Sequence, residues 1–213
     1  MGDEGKILKE KKKMGDEPVT ISRRGFLKGV GTGTVGVALT GIPFVLPTEA
    51  IGALPAGVKE AMVQMQVNGS TYRVKVKSHW TLLDVLRREI GLTGTKKACN
   101  RSSCGACTVI VEGKSAYACS LLAIEMEGKK ILTVEGLAAG DSLHTVQQAF
   151  SEYGGYQCGY CTSGQMISAK ALLDKNPKPT REEVRQGMAG NICRCGAYPK
   201  IVESVLGAAA IAK

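Results

Sequence analysis

The eight cysteines of this 213-residue chain stand in two sets of four, and four thiolates make a complete ligand set for a metal centre. The first set runs Cys99-x4-Cys104-x2-Cys107-x11-Cys119, and the second runs Cys158-x2-Cys161-x31-Cys193-x1-Cys195. Thiolate is a soft ligand, and a C-x4-C-x2-C loop completed by a distant cysteine is a spacing that holds a [2Fe–2S] cluster. The short loop wraps one side of the cluster and the fourth thiolate arrives from another segment. Two full sets with no thiol left over predict two one-electron centres.

Three other uses of the same residues compete. Cysteines in an exported chain also form disulfides. However, Cys193 and Cys195 are poorly placed to bridge each other, and Cys99, Cys104 and Cys107 crowd together as a metal loop does. Short paired spacings also read as zinc ribbons, which the long gap after Cys161 and the C-x-C pair fit poorly. A Rieske centre needs two histidine ligands. The chain has only His79 and His144, and neither lies in a cysteine loop.

The elements that carry these residues are preceded by a leader. Ser22-Arg23-Arg24-Gly25-Phe26-Leu27-Lys28 resembles a twin-arginine export signal. The stretch Gly29–Leu46 is glycine-rich and is closed by Pro43 and Pro47, which makes it marginal as a membrane span. Thr48-Glu49-Ala50 offers a small-x-small cleavage site, so residues 1–50 are expected to be a signal peptide. A retained anchor is the alternative. The expected destination is the periplasm, with the twin-arginine translocase as a transient partner. That route moves folded proteins, so the clusters can be assembled where thiols stay reduced. Gly31-Thr32-Gly33-Thr34-Val35-Gly36 matches a dinucleotide-binding pattern, but no strand precedes it and no βαβ unit surrounds it. Lys11-Lys12-Lys13 reads as a solvated run.

The leader carries a net charge of +2, which leaves +7 of the chain's +9 for residues 51–213. No nucleic-acid motif or aromatic platform accompanies that charge, so no nucleic-acid partner is expected. Four thiolates per cluster offset part of it, and the remainder suits a partner surface. After a linker at 51–60, Met62–Val67 and Tyr72–Lys77 flank Asn68-Gly69, the strongest short hairpin signal. Thr81 with Asp84 caps a helix bearing Leu82, Leu83, Val85, Leu86 and Ile90. Thr108–Val111 and Ile131–Val134 read as further strands, giving a mixed α+β unit. From Asp141 the period becomes helical, with helices predicted over Ser142–Tyr153, Thr162–Lys175, Thr180–Ala189 and Lys200–Ala212. Thr162/Gln165 and Thr180/Glu183 are expected capping boxes. Cys158 and Cys161 precede the second helix, and Cys193 and Cys195 join the third to the fourth.

Several motifs together are distinctive: Leu82-Leu83-x-x-Leu86-Arg87, Gly91-Leu92-Thr93-Gly94, Cys104-Gly105-Ala106-Cys107-Thr108-Val109, Gln157-Cys158-Gly159-Tyr160-Cys161 and Gly190-Asn191-x-Cys193-Arg194-Cys195. They resemble the iron–sulfur subunit of the molybdenum hydroxylases, the xanthine dehydrogenase and aldehyde oxidoreductase family. With the export signal, the chain looks most like the small subunit of a periplasmic aldehyde oxidoreductase. The resemblance implies a β-grasp plant-type ferredoxin domain over 61–138 and an all-α four-helix [2Fe–2S]-binding domain over 139–213. It implies two [2Fe–2S] clusters on the eight cysteines. It also implies an electron-transfer role beside a large subunit that holds a molybdopterin cofactor and hydroxylates an aldehyde or N-heterocycle. Gln157 would hydrogen-bond the pterin; otherwise it is a loop residue satisfying backbone groups. The next acceptor would be a FAD subunit, a cytochrome or another carrier. A freestanding two-cluster electron carrier is the alternative reading. Gly105, Gly159 and Gly190 are expected to allow backbone conformations that aim N–H groups at cluster sulfurs. Ala98 and Ser102 stand where the family has glycines, and Gly196-Ala197 replaces Thr-Gly, so a looser loop or altered potential is expected there.

Overall fold

The computed structural model describes residues 59–211, which form one compact unit. The twin-arginine stretch, the apolar stretch behind it and the cleavage site near Ala50 lie outside the described residues. Asn68 and Gly69 both adopt positive φ, 52° and 83°. That is the two-residue turn the Asn-Gly pair favours, and it folds β1 (Glu60–Val67) back antiparallel on β2 (Ser70–Lys77) with Val67 opposite Ser70. Alternation then decides the faces: Val63, Met65 and Val67 are buried while Met62 is exposed. A second two-residue turn, Glu112-Gly113 at φ 48° and 75°, joins β3 (Thr108–Val111) to β4 (Lys114–Tyr117). The sequence reading did not foresee β4, whose Lys-Ser-Ala-Tyr run lacks an apolar alternation. β5 (Lys130–Leu132) pairs parallel with β1 and antiparallel with β3, giving the order β2-β1-β5-β3-β4. Among the described residues no strand pairs with the outer side of β2.

The strand expected over Ile131–Val134 stops at Leu132. There the Asn68 side chain takes over the pairing, accepting the Thr133 N–H at 2.8 Å and donating to its hydroxyl at 2.9 Å. Across the sheet lies α1 (Leu82–Arg88), which buries Leu82, Leu83, Val85 and Leu86 against Val63, Met65, Val76 and Val109.

Thr81 and Asp84 form the expected capping box, and Asp84 also accepts the Lys97 ammonium at 3.0 Å. Burial works to raise the Asp84 pKa, but the Thr81 hydroxyl and Lys97 outweigh it and hold the carboxyl below its ordinary value. A depressed folded pKa means the stabilisation is complete above the unfolded value and is lost as pH falls through the folded one. Asp84→Asn is therefore expected to cost about 1 kcal/mol at neutral pH. It should also flatten the acid limb of a plot of urea-unfolding free energy against pH.

The second half consists of α2 (Thr145–Glu152), α3 (Thr162–Lys175), α4 (Arg181–Gly187) and α5 (Tyr198–Ile211), closing on Val146, Phe150, Val184, Ile201 and Val205. α2 begins three residues later than its pattern predicts because His144 caps it. The imidazole Nδ1 accepts the Val146 N–H at 3.2 Å, and the Gln147 side chain accepts the His144 N–H at 3.0 Å. Thr180 and Glu183 form their box as expected. The box expected at Thr162 and Gln165 does not form: Cys161 is the N-cap and Gln165 turns inward, only 1 % exposed. A small seam of Ile110 and Leu137 from the sheet half with Ile167 and Ala171 of α3 joins the halves.

Candidate metal centres

The β3–β4 hairpin explains the spacing of the first cysteine set. Cys107 directly precedes β3, and the strand after the turn returns the chain so that the Ala118 N–H donates to the Cys107 carbonyl at 3.1 Å. Cys119 thereby arrives beside Cys107. The loop from Cys99 to Cys107 coils with Asn100, Ser102 and Gly105 at φ 52°, 58° and 70°. This curl turns the Ser102 N–H onto Cys119 Sγ at 3.3 Å and the Ser103 N–H onto Cys99 Sγ at 3.4 Å. Such donors stabilise thiolate and tune a cluster's potential. Ser102 thus holds a backbone region that suits glycine, at a cost of about 1 kcal/mol. Ser102→Gly is expected to retain full iron and gain up to about 1 kcal/mol in urea unfolding, because the backbone donor to Cys119 survives.

In the second set, Cys158 and Cys161 lie at the head of α3, while Cys193 and Cys195 fill the connection from α4 to α5. Gly159 and Gly196 take positive φ, 80° and 75°, where the chain curls. The Tyr198 hydroxyl accepts the Cys193 N–H at 2.9 Å and pins the loop. Gly190 corrects the expectation placed on it. It does not adopt positive φ; its hydrogen leaves room for the Tyr117 hydroxyl, which donates to the Gly190 carbonyl at 2.9 Å.

All eight cysteines are free thiols, and within each set they meet in pairs. Cys99 is influenced by the neighbouring thiol of Cys104, Cys107 by Cys119, Cys158 by Cys195 and Cys161 by Cys193. Among the described residues no three potential ligands converge on a single ion position. A zinc ribbon requires all four ligands around one centre, whereas a two-iron cluster divides its ligands two by two. The paired thiols of each loop therefore fit a [2Fe–2S] cluster.

Each set has an inner and an outer pair. Cys107 and Cys119 are buried while Cys99 and Cys104 are half-buried; Cys193 is buried while Cys158 and Cys195 are exposed. Backbone N–H groups of Arg101 and Ser103 bring the Cys99 thiol down to about 7. Burial pushes Cys107 up to about 12 and Cys161 up to about 11. Cys99 is thus close to its thiolate form at neutral pH, whereas Cys107 and Cys161 lose their protons only to the metal itself.

Gln157 is exposed beside Cys158, and its side chain makes no hydrogen bond among the described residues. Tyr156, Tyr160, Ile192 and Tyr198 are also exposed around the second set. The sequence reading missed the residues that lock the two halves together. Tyr160 donates to the Lys97 carbonyl at 2.7 Å, and Asn191 Nδ2 donates to the Gly105 carbonyl at 2.9 Å. Only Asn191 carried a signal, as part of the Gly-Asn-x-Cys-x-Cys motif.

Two family models match the chain. A 2Fe-2S iron–sulfur cluster binding domain matches residues 65–134, and a [2Fe-2S] binding domain matches residues 133–206. An aldehyde oxidoreductase iron–sulfur-binding subunit of Escherichia coli is 38 % identical over 98 % of this chain and 98 % of its own. A nicotinate dehydrogenase small FeS subunit of Eubacterium barkeri is 44 % identical over 67 % of this chain and 91 % of its own. Among solved structures, one chain of quinoline 2-oxidoreductase from Pseudomonas putida superposes with a TM-score of 0.70 at 38 % identity, covering 72 % of this chain and 96 % of that one. The aldehyde oxidoreductase of Desulfovibrio desulfuricans superposes with a TM-score of 0.69 at 44 % identity, over 71 % of this chain but 17 % of its own.

Proposed function

We propose, for a chain that belongs to the iron–sulfur subunits of the xanthine dehydrogenase and aldehyde oxidoreductase family of molybdenum hydroxylases, that it takes electrons one at a time from a large molybdenum-bearing subunit. It is an electron-transfer component of an oxidoreductase, and substrate oxidation is assigned to the large subunit. The observation that carries this reading is the presence of two four-thiolate loops in one compact unit, each with backbone N–H donors or pinned curls at its ligands. A [2Fe–2S] cluster bound in such a loop supplies one reversible electron.

The chain's own residues do the rest. Inner cysteines anchor each loop in a hydrophobic core, which excludes water from one side of the ligand set. Outer cysteines stand at the surface, where a redox partner can approach. The exposed Gln157 amide is proposed to hydrogen-bond a molybdopterin held by the large subunit, with Tyr156, Tyr160 and Ile192 as the apolar part of that contact. The face around Cys99 and Cys104 is proposed to meet the next acceptor, a FAD subunit or a cytochrome.

Export by the twin-arginine route to the periplasm completes the proposal. It is supported by Arg23-Arg24 and by a likeness to the Escherichia coli subunit that runs through 98 % of the chain. Purification from the native host tests the reading. The chain should arrive with a molybdenum-bearing subunit, brown in colour, bleaching on dithionite and showing two distinct paramagnetic signals. Recovery alone with both clusters intact would instead make it a freestanding carrier. Replacing both arginines with lysine should leave cluster-bearing protein in the cytoplasm.

A further inference from the structure

Two groups of Ser102 face the same sulfur. The backbone N–H donates to Cys119 Sγ at 3.3 Å, and the hydroxyl oxygen lies 3.9 Å from it, a hydrogen-bond distance for so large an acceptor. While Cys119 keeps its hydrogen, either partner of the hydroxyl–thiol contact can donate. A metal-bound thiolate has no hydrogen, so the hydroxyl must then be the donor. The neighbouring Ser103 differs. Its N–H donates to Cys99 Sγ at 3.4 Å, but its hydroxyl donates to the Arg101 carbonyl at 3.1 Å and is committed to the loop's own backbone.

The φ of 58° at Ser102 strains any side chain there, and glycine would relieve it. Glycine would also keep the N–H donor to Cys119 and lose only the hydroxyl. Serine thus costs stability and gives the sulfur a second donor. Cys119 is only 8 % exposed, so water has little access to take the place of that donor.

We propose that the Ser102 hydroxyl donates to the Cys119 thiolate and raises the reduction potential of the first centre above that of the same loop with glycine. This rests on the two-cluster reading above. Reduction adds one electron, supplied by dithionite in the test, and one ferric ion becomes ferrous. No proton moves, and the hydroxyl hydrogen stays on Oγ. The added negative charge is shared by the ligand sulfurs, so a donor to sulfur stabilises the reduced state more than the oxidised one.

The test is a dithionite titration of the full chain, read from its two paramagnetic signals, in wild type, Ser102→Ala, Ser102→Gly and Ser103→Ala. Iron per chain and urea unfolding are measured on each. In both Ser102 variants one signal should be about three- to tenfold less reduced at a fixed poise, a downward shift of about 30–60 mV for one electron. The other signal should hold its potential, and iron should stay full. Stability should separate the same two variants, since only Ser102→Gly relieves the backbone. A purely structural role would make the potential follow stability, whereas the hydroxyl makes it follow the missing donor. Unchanged potentials in both Ser102 variants, a shift in Ser102→Gly alone, or an equal shift in Ser103→Ala overturns the proposal. Should Ser102→Ala lose iron, Ser102→Gly and Ser103→Ala decide by the same readout. Wild-type protein that binds no iron refutes the two-cluster reading itself, and full iron with no shift refutes only this inference.

Discussion

Cys107→Ser is expected to leave a protein with half of its iron and a fall in melting temperature on the order of 10 °C. Cys107 lies in the core with Leu82, Leu86 and Val109, so its thiolate draws the first ligand loop into the hydrophobic interior. Burial places the free thiol at about 12, and a buried serine hydroxyl is far less acidic still. Without the metal, nothing deprotonates that position, and the free energy that metal binding contributes to folding is lost, about 4 kcal/mol or more. Cys99→Ser, at the half-buried outer position, should be milder because water can reach the vacated ligand site. Iron and acid-labile sulfide per chain, with thermal unfolding followed by circular dichroism, measure both variants. Equal losses in the two would contradict the inner–outer distinction.

Gly164→Ala should destabilise the protein by about 2 kcal/mol or more, against the direction that helix propensity predicts. Alanine is favoured over glycine in a helix interior by about 1 kcal/mol. Gly164 lies in the first turn of α3, however, and its Cβ would stand 3.0 Å from Ala106 Cα and 3.1 Å from Ala106 C, and closer still to the Gly105 carbonyl. All of these are backbone atoms of the first ligand loop and none can rotate away. Overpacking of this kind costs about 1–3 kcal/mol even where side chains can adjust. Packing therefore wins over propensity, and the first cluster's loop should be displaced along with it. Gly187→Ala is the control, since its new methyl would meet only the flexible end of Leu172, at 2.9 Å. Urea unfolding of the two variants separates the effects, and a Gly164→Ala protein as stable as wild type would remove the argument.

Local chemistry made much of this molecule readable from its residues. Asn68-Gly69 specified its hairpin because both turn residues must take positive φ, and Thr81 and Thr180 specified helix starts because their partners stand three residues on. The ligand sets were readable because their spacing is set by the loop that wraps each cluster. β4 was hidden: its strand character comes from pairing with β3 and not from its own pattern. The Thr162–Gln165 box failed because Gln165 turns inward to the Asn191 carbonyl, beside the seam between the halves, and not to the helix end. Gly164 and Gly190 also belong to that seam. Their meaning depends on which backbone lies opposite, and no local window of sequence contains that information.

The outer rim of β2 has a consequence for a subunit synthesised ahead of its partners. An open strand invites a neighbouring chain to extend the sheet, and cationic side chains are a common deterrent. Arg73, Lys75 and Lys77 are exposed along this rim, at every second position. Two copies brought rim to rim would oppose like charges over the whole strand. Self-association of this chain into stacked sheets is thereby discouraged.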